Sequence, residues 1–241
     1  MRRHLRAHLV SLALAGFVLV LSACSGGASE QAATSYTAAE VQDAAATAMA
    51  AIESVHFDVT RSGADVTIDD TGLVVFESAS GRFAAPRSAD AVVAVDLMGN
   101  RVELGAVALD GVLYLTDPLT GAWQDATGTI DFDPATIFSV DEGIAAVLAS
   151  GMADTSLRTA EPDDDGLLHL TGTVSPDDVA TLTSGLVSEP ATAEVSIDAA
   201  TSLVRTITFD TPLDNGVASW LVELSDYGAD VTIEPPDLGD G

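Results

Sequence analysis

The sequence predicts a single α+β domain: a large curved antiparallel sheet with a few helices on one face. Three observations lead there. From Val55 onward most of the chain reads as period-two runs separated by turn signals, of which Gly99-Asn100 and Asp110-Gly111 are the clearest. Before those runs, and at places among them, the period lengthens to that of a helix. No internal repeat and no break in composition divides residues 37–241, so one core is expected.

The elements follow in order. Thr37-x-x-Glu40 is a capping box, and Val41, Ala45, Ala48 and Ile52 recur behind it at helical spacing, which predicts a helix over about 37–54. Phe57, Val59 and Arg61 then oppose His56, Asp58 and Thr60 in a strand, with Val66 and Ile68 resuming after Ser62-Gly63. Strand-like runs continue at Leu73–Glu77, Ala91–Leu97, Val102–Leu109 and Val112–Thr116, an antiparallel meander. Asp133-Pro134 starts a helix, and Asp141-Glu142 starts a second short one closed by Gly151. Leu167–Val174 is a strand, Ser175-Pro176-Asp177-Asp178 opens a third helix, and strands return at 194–198, 203–209, 219–226 and 231–234.

Composition excludes whole classes of chemistry. The chain contains no lysine, which removes phosphate loops of the Walker type, Schiff-base catalysis and S-x-x-K acyl transfer. Its formal charge is −28, and becomes −31 without the first 23 residues, which hold three arginines and no acid. Such a surface repels phosphate backbones and anionic headgroups, so nucleic acid and electrostatic membrane adsorption are not expected partners. A hydrophobic content of 47% argues equally against a disordered acidic chain.

The N-terminus reads as an export signal. Arg2, Arg3 and Arg6 precede an apolar run from Leu9 to Leu21, too short to span a bilayer but of secretory length. Arg2-Arg3 leaves the Sec and twin-arginine routes both open. The run ends in Leu21-Ser22-Ala23-Cys24, which resembles the bacterial lipobox, and Cys24 is the only cysteine in the chain. The expected organisation is a signal peptide over 1–23, a lipidated flexible tether over 24–36, and a folded domain over 37–241 held at the outer, extracytoplasmic face of the cell membrane through acyl chains on Cys24.

Nothing in the mature chain reads as an active site. Glu161-Pro162-Asp163-Asp164-Asp165-Gly166 matches the first half of a calcium loop, but the twelfth position is Gly172 where a bidentate Glu is required, so a solvated acidic turn is expected and no metal. G-x-S-x-G does not occur, and the mature histidines, His56 and His169, lie far apart in alternating strand segments. Neither a catalytic residue nor a cofactor is expected.

Several segments in order carry a resemblance. Ser54-Val55-His56 after the first helix, the run Asp110 to Leu115, Gly121-Ala122-Trp123, Phe132-Asp133-Pro134 through Gly143 to Ala149, and the ending Tyr227-Gly228 to Pro235-Pro236 resemble the LppX/LprAFG family of mycobacterial and related actinobacterial cell-envelope lipoproteins. The resemblance covers essentially the whole mature domain. It implies a half-barrel sheet like that of periplasmic lipoprotein carriers, with helices over the concave face enclosing an apolar cavity for the acyl chains of envelope lipids or glycolipids. The absence of lysine and the excess of acid depart from the familiar members.

A packing mismatch points the same way. The first helix offers Ala44, Ala45, Ala48 and Met49 and the second Ala145, Ala146 and Ala149, small residues that leave room against a wide sheet. The candidate wall comprises Val93, Val95, Leu97, Val107 and Leu109 from the sheet, with Ile144, Val147 and Leu148 from the second helix. The expected function is a membrane-anchored carrier whose cargo is an envelope lipid or glycolipid, with a lipid transporter as a candidate partner. Two rivals stand beside it: a solidly packed envelope adaptor, and a carboxylate-dependent hydrolase.

Overall fold

The computed structural model describes residues 35–68, 72–128 and 133–239. The segment read as a signal peptide, Cys24, most of the expected tether and Phe132 lie outside the described residues. Helix α1 spans Ala38–Ala50, and Thr37 caps it reciprocally: its side chain accepts from the Glu40 N–H, and the Glu40 carboxylate accepts from the Thr37 N–H. The helix stops four residues before the predicted end, because the chain turns at Ala51 and enters the sheet at Ser54.

Eleven antiparallel strands form one open sheet: β1 (Ser54–Gly63), β2 (Val74–Ala84), β3 (Ser88–Leu97), β4 (Asn100–Leu109), β5 (Val112–Thr116), β6 (Trp123–Asp125), β7 (Met152–Leu157), β8 (Leu167–Val174), β9 (Ala191–Asp198), β10 (Val204–Leu213) and β11 (Gly216–Ser225). Their order is β6-β5-β4-β3-β2-β1-β11-β10-β9-β8-β7, so β1 and β11 close the middle and the two edges, β6 and β7, do not meet. Between β6 and β7 the chain crosses the concave face. It forms a 3-10 turn at Thr136–Phe138 and a short helix α2 at Ile144–Ala146 that widens into a π turn over Val147–Gly151. Helix α3 (Pro176–Leu182) lies between β8 and β9 and is capped by Ser175.

Sequence and structure differ where strands lack alternation or partners. The second half of β2, Ser78-Ala-Ser-Gly-Arg-Phe-Ala84, carries small residues that read as loop, and the polar edge strand β7 carries almost no apolar signal. Conversely, Val231–Glu234 forms no strand, and Val66 and Ile68 are represented only by an isolated bridge from Thr67 to Val75. The helix expected at Asp133-Pro134 is only the 3-10 turn.

One face of the sheet is apolar and lies under the helices. Val55, Phe57 and Val59 of β1, Leu168 and Leu170 of β8, Ala193, Val195 and Ile197 of β9, Ile207 and Phe209 of β10, and Trp220 and Val222 of β11 all point there and are buried. The opposite face carries the charge. Five of the six described arginines make ion pairs, four of them across that face: Arg82–Asp90, Arg101–Glu77 at 2.6 Å, Arg158–Glu194 at 2.5 Å and Arg205–Asp198 at 3.0 Å.

Candidate functional site

The seam between helices and sheet is built from both ends of the chain. Helix α1 buries Val41, Ala45, Ala46 and Met49; Ala44, expected to face inward, is exposed. Gln42 fixes this helix to its neighbours. Its Nε2 donates to the carbonyls of Leu148 at 2.8 Å and Met152 at 3.1 Å, and its Oε1 accepts from the Thr155 hydroxyl at 2.8 Å. These bonds tie α1 to the π turn and to β7. Sequence periodicity gives no sign of this role, because Gln42 is simply the polar residue beside Val41.

Two small apolar cavities lie within the seam. The first, about 20 Å³, is bounded by Phe57, Phe76, Ala91, Ile137 and Trp220, with Leu182, Thr183 and Ser184 closing one side. The second, about 10 Å³, lies among Ile144, Leu148, Leu182, Val195 and Ile207. Leu182 borders both. Further along β9, Ile197 joins Val41, Ala44 and Leu168 in an open groove of about 340 Å³ beside the start of α1. Because Ala193, Val195 and Ile197 share one face by period two, groove and second cavity lie along the same track of sheet residues.

The predicted wall residues are only partly brought together. Ile144, Val147 and Leu148 are buried and line the second cavity. Val93 and Val95 are buried on the same sheet face and Leu97 half-buried, but in the other half of the sheet, where Val95 pairs with Phe76 and Val102. Val107 and Leu109 do not belong with them: Val107 pairs with Asp90 and Leu109 with Ser88, which puts both on the charged face. The inward residues of β4 are instead Val102, Leu104, Ala106 and Ala108, opposite Val95, Val93, Ala91 and Ala89. A one-residue change of register reverses every side chain, and the run from Val102 to Leu109 is too uniformly apolar to reveal which parity faces in.

The acidic turn is occupied by its own backbone. Asp163 accepts from the N–H groups of Asp165 at 3.0 Å and Leu167 at 2.8 Å, and its second oxygen lies 2.8 Å from His169 Nε2. These contacts, that with His169 first, hold its carboxyl below the usual range. Among the described residues no group of three or more His, Cys, Asp or Glu side chains is arranged to hold a metal ion.

That turn belongs to an arrangement the sequence does not disclose. His169 Nδ1 lies 3.2 Å from the Ser196 hydroxyl, so Ser196, His169 and Asp163 form a chain like that of a serine hydrolase. Serine and histidine stand opposite each other across β8 and β9, a juxtaposition that only the register creates. Ser196 is 6% exposed in the middle of its strand, which leaves its hydroxyl little access for an acyl carbonyl. The triad-like chain is a satisfied polar cluster on the charged face.

An open half-barrel of antiparallel strands, with a helix layer closing an apolar seam on its concave face, is an architecture found among lipoproteins. Crystal structures of LprF from Mycobacterium bovis (TM-score 0.62, 18% identity, 84% of this chain and 97% of that one) and of the Mycobacterium tuberculosis lipoprotein LppX (TM-score 0.55, 18% identity, 82% and 98%) share the fold. The chain belongs to the LppX_LprAFG lipoprotein family, whose model matches residues 37–233. It is 29% identical over 240 residues to a putative lipoprotein LprA of Mycobacterium bovis, covering 93% of this chain and 94% of that protein. It is also 29% identical over 151 residues to the lipoarabinomannan carrier protein LprG of Mycobacterium tuberculosis, a match spanning 62% of this chain and 61% of that relative's length.

Proposed function

We propose that this domain is an acyl-chain carrier, anchored through lipid on Cys24 at the outer face of the cell membrane, that takes up an envelope lipid or glycolipid in the helix–sheet seam. The observation that carries the reading is the seam itself: no charged side chain lines either cavity, and Leu182 borders both. Each methylene transferred from water into such surroundings gains about 0.8 kcal/mol, which lowers the barrier for a lipid to leave a membrane without covalent chemistry. Cavities of about 20 and 10 Å³ correspond to a closed form. Uptake then requires the helix layer to move off the sheet, and the Gln42 bonds between α1, the π turn and β7 are the contacts that must yield. The carrier role given to LprG, and the family's lipoprotein character, support the reading.

The same tight packing favours a second reading, an adaptor that never opens and recruits a protein partner through its acidic surface. Native mass spectrometry of protein purified from its own host separates the two. Co-purifying lipid is expected for the carrier, and lipid-free protein overturns it in favour of the adaptor. The anchor is tested separately: Cys24→Ala should release the domain into the medium or leave an uncleaved precursor, and a processed variant that stays membrane-bound in high salt would exclude lipidation there.

A further inference from the structure

Among the described residues, five buried ones carry polar side chains: Ser54, Thr183, Ser184, Ser196 and Thr211. Four are satisfied. The Ser54 hydroxyl donates to the Ala229 carbonyl at 2.6 Å, and that of Thr183 to the Val179 carbonyl at 2.9 Å while accepting from the Val187 N–H at 3.1 Å. Ser196 meets His169, and the Thr211 hydroxyl accepts from the Trp220 indole at 3.1 Å and donates to the Ala218 carbonyl at 3.3 Å. Ser184 is the exception: its Oγ is buried without a hydrogen-bond partner among the described residues. It also has a left-handed backbone, with φ of +53°, which an L residue other than Asn, Asp or Gly adopts at a cost. The left-handed turn is a common close for a helix and follows the C-cap of α3 at Thr183, so it is the orphaned hydroxyl that calls for an explanation.

Its surroundings supply one. Ser184 lines the larger apolar cavity beside Leu182, while the next residue, Gly185, is exposed, so the hydroxyl sits one residue below the surface at a wall of the seam. We propose that Ser184 is the polar contact for the neutral ester at the base of a buried acyl chain, donating to its carbonyl oxygen, with the chain running past Leu182 and the headgroup remaining outside. The proposal rests on the carrier reading and adds the ligand's linkage chemistry to it. A free carboxylate or a phosphate would need a cation, and none of the side chains around either cavity is basic. A water molecule fits this space poorly as partner, because it needs two to four polar neighbours and the Thr183 hydroxyl is already engaged.

The test uses displacement of an environment-sensitive dye from the purified domain by three probes of matched chain length: 1-lauroylglycerol, dodecane delivered on cyclodextrin, and laurate at neutral pH. The wild type should prefer the ester over laurate. Ser184→Ala should weaken 1-lauroylglycerol by about threefold to tenfold and leave dodecane unchanged. Ser184→Gly, which also relieves the left-handed backbone, should bind like the Ala variant but melt at a higher temperature than wild type in the absence of probe. Equal loss for ester and alkane, no loss for either, or preference for laurate would overturn the assignment of Ser184 while leaving the carrier intact. If no probe displaces dye from the wild type, the carrier reading falls and this one with it.

Discussion

The two halves of the concave face are filled differently. Under β1, β2, β11 and the Phe209 end of β10 the filling is aromatic: Phe138 from the 3-10 turn sits between Phe57 and Phe83, with ring centroids 5.4 and 4.9 Å away, and Trp220 is stacked between Phe76 and Phe209 at 5.7 and 6.0 Å. This packing demands room at particular points. A Cβ on Gly81 would stand 2.7 Å from the Phe57 ring and 2.0 Å from the Asp90 carbonyl, so only glycine lets that ring lie against β2. Under β8, β9 and β10 the filling is aliphatic, with Ile144, Val147, Leu148, Val195 and Ile207. Large planar rings have few rotamers and hold one arrangement, whereas branched aliphatic side chains beside alanines can repack when a helix shifts. On the carrier reading, the aromatic half is the fixed frame and the aliphatic half, with α1 and α2 above it, is the part expected to open.

The comparison can be broken at its strongest point first. Phe138→Ala removes the ring that joins the cross-over segment to the frame, and should cost about 3–5 kcal/mol, measured by urea denaturation. A loss below about 1 kcal/mol would show that the aromatic half is not the frame. Next come matched substitutions on the two halves. Val95 is fully buried opposite Phe76 and borders neither cavity, so Val95→Trp should overpack at about 1–3 kcal/mol. Val195→Trp puts the same indole beside the second cavity, where it should cost less stability but reduce co-purifying lipid; equal destabilisation by the two would erase the distinction.

Smaller still is the loss of the Thr37 cap. Thr37→Ala leaves the Glu40 N–H without its acceptor and should lower stability by about 1 kcal/mol, with hydrogen exchange rising in α1 before any strand of the aromatic half. The smallest effect lies on the charged face of the aliphatic half. The hydrogen bond from Arg205 holds the Asp198 carboxyl at about 2, below its unfolded value, so its contribution is fully present above about pH 4 and is lost as pH falls through about 2. Between those limits the wild type should lose melting temperature relative to Asp198→Asn; parallel curves would show that the pair contributes nothing there.

How far the chain could be read in advance differs between the same two regions. The capping box of α1, the helix at Ser175-Pro176 and the tight turns at Gly99-Asn100 and Asp110-Gly111 are local devices, and each occurs where its residues are. The cluster Ile144, Val147 and Leu148 was legible because its spacing holds through the change from α to π winding. The inward parity of β4 was not, since alanine, valine and leucine occupy both faces there, and Val107 and Leu109 turned outward.

Sequence alone determined the class of fold, the family and the absence of lysine chemistry, because these rest on periodicity, order of segments and composition, all of which are written along the chain. Tertiary structure decided which residues meet. Ser196 stands opposite His169, Gln42 reaches carbonyls more than a hundred residues away, and Ser184 is left without a partner among the described residues in an apolar wall. Whether a hydroxyl is satisfied depends on groups distant in sequence that only the sheet's register and the helix layer bring near, and no local pattern encodes that.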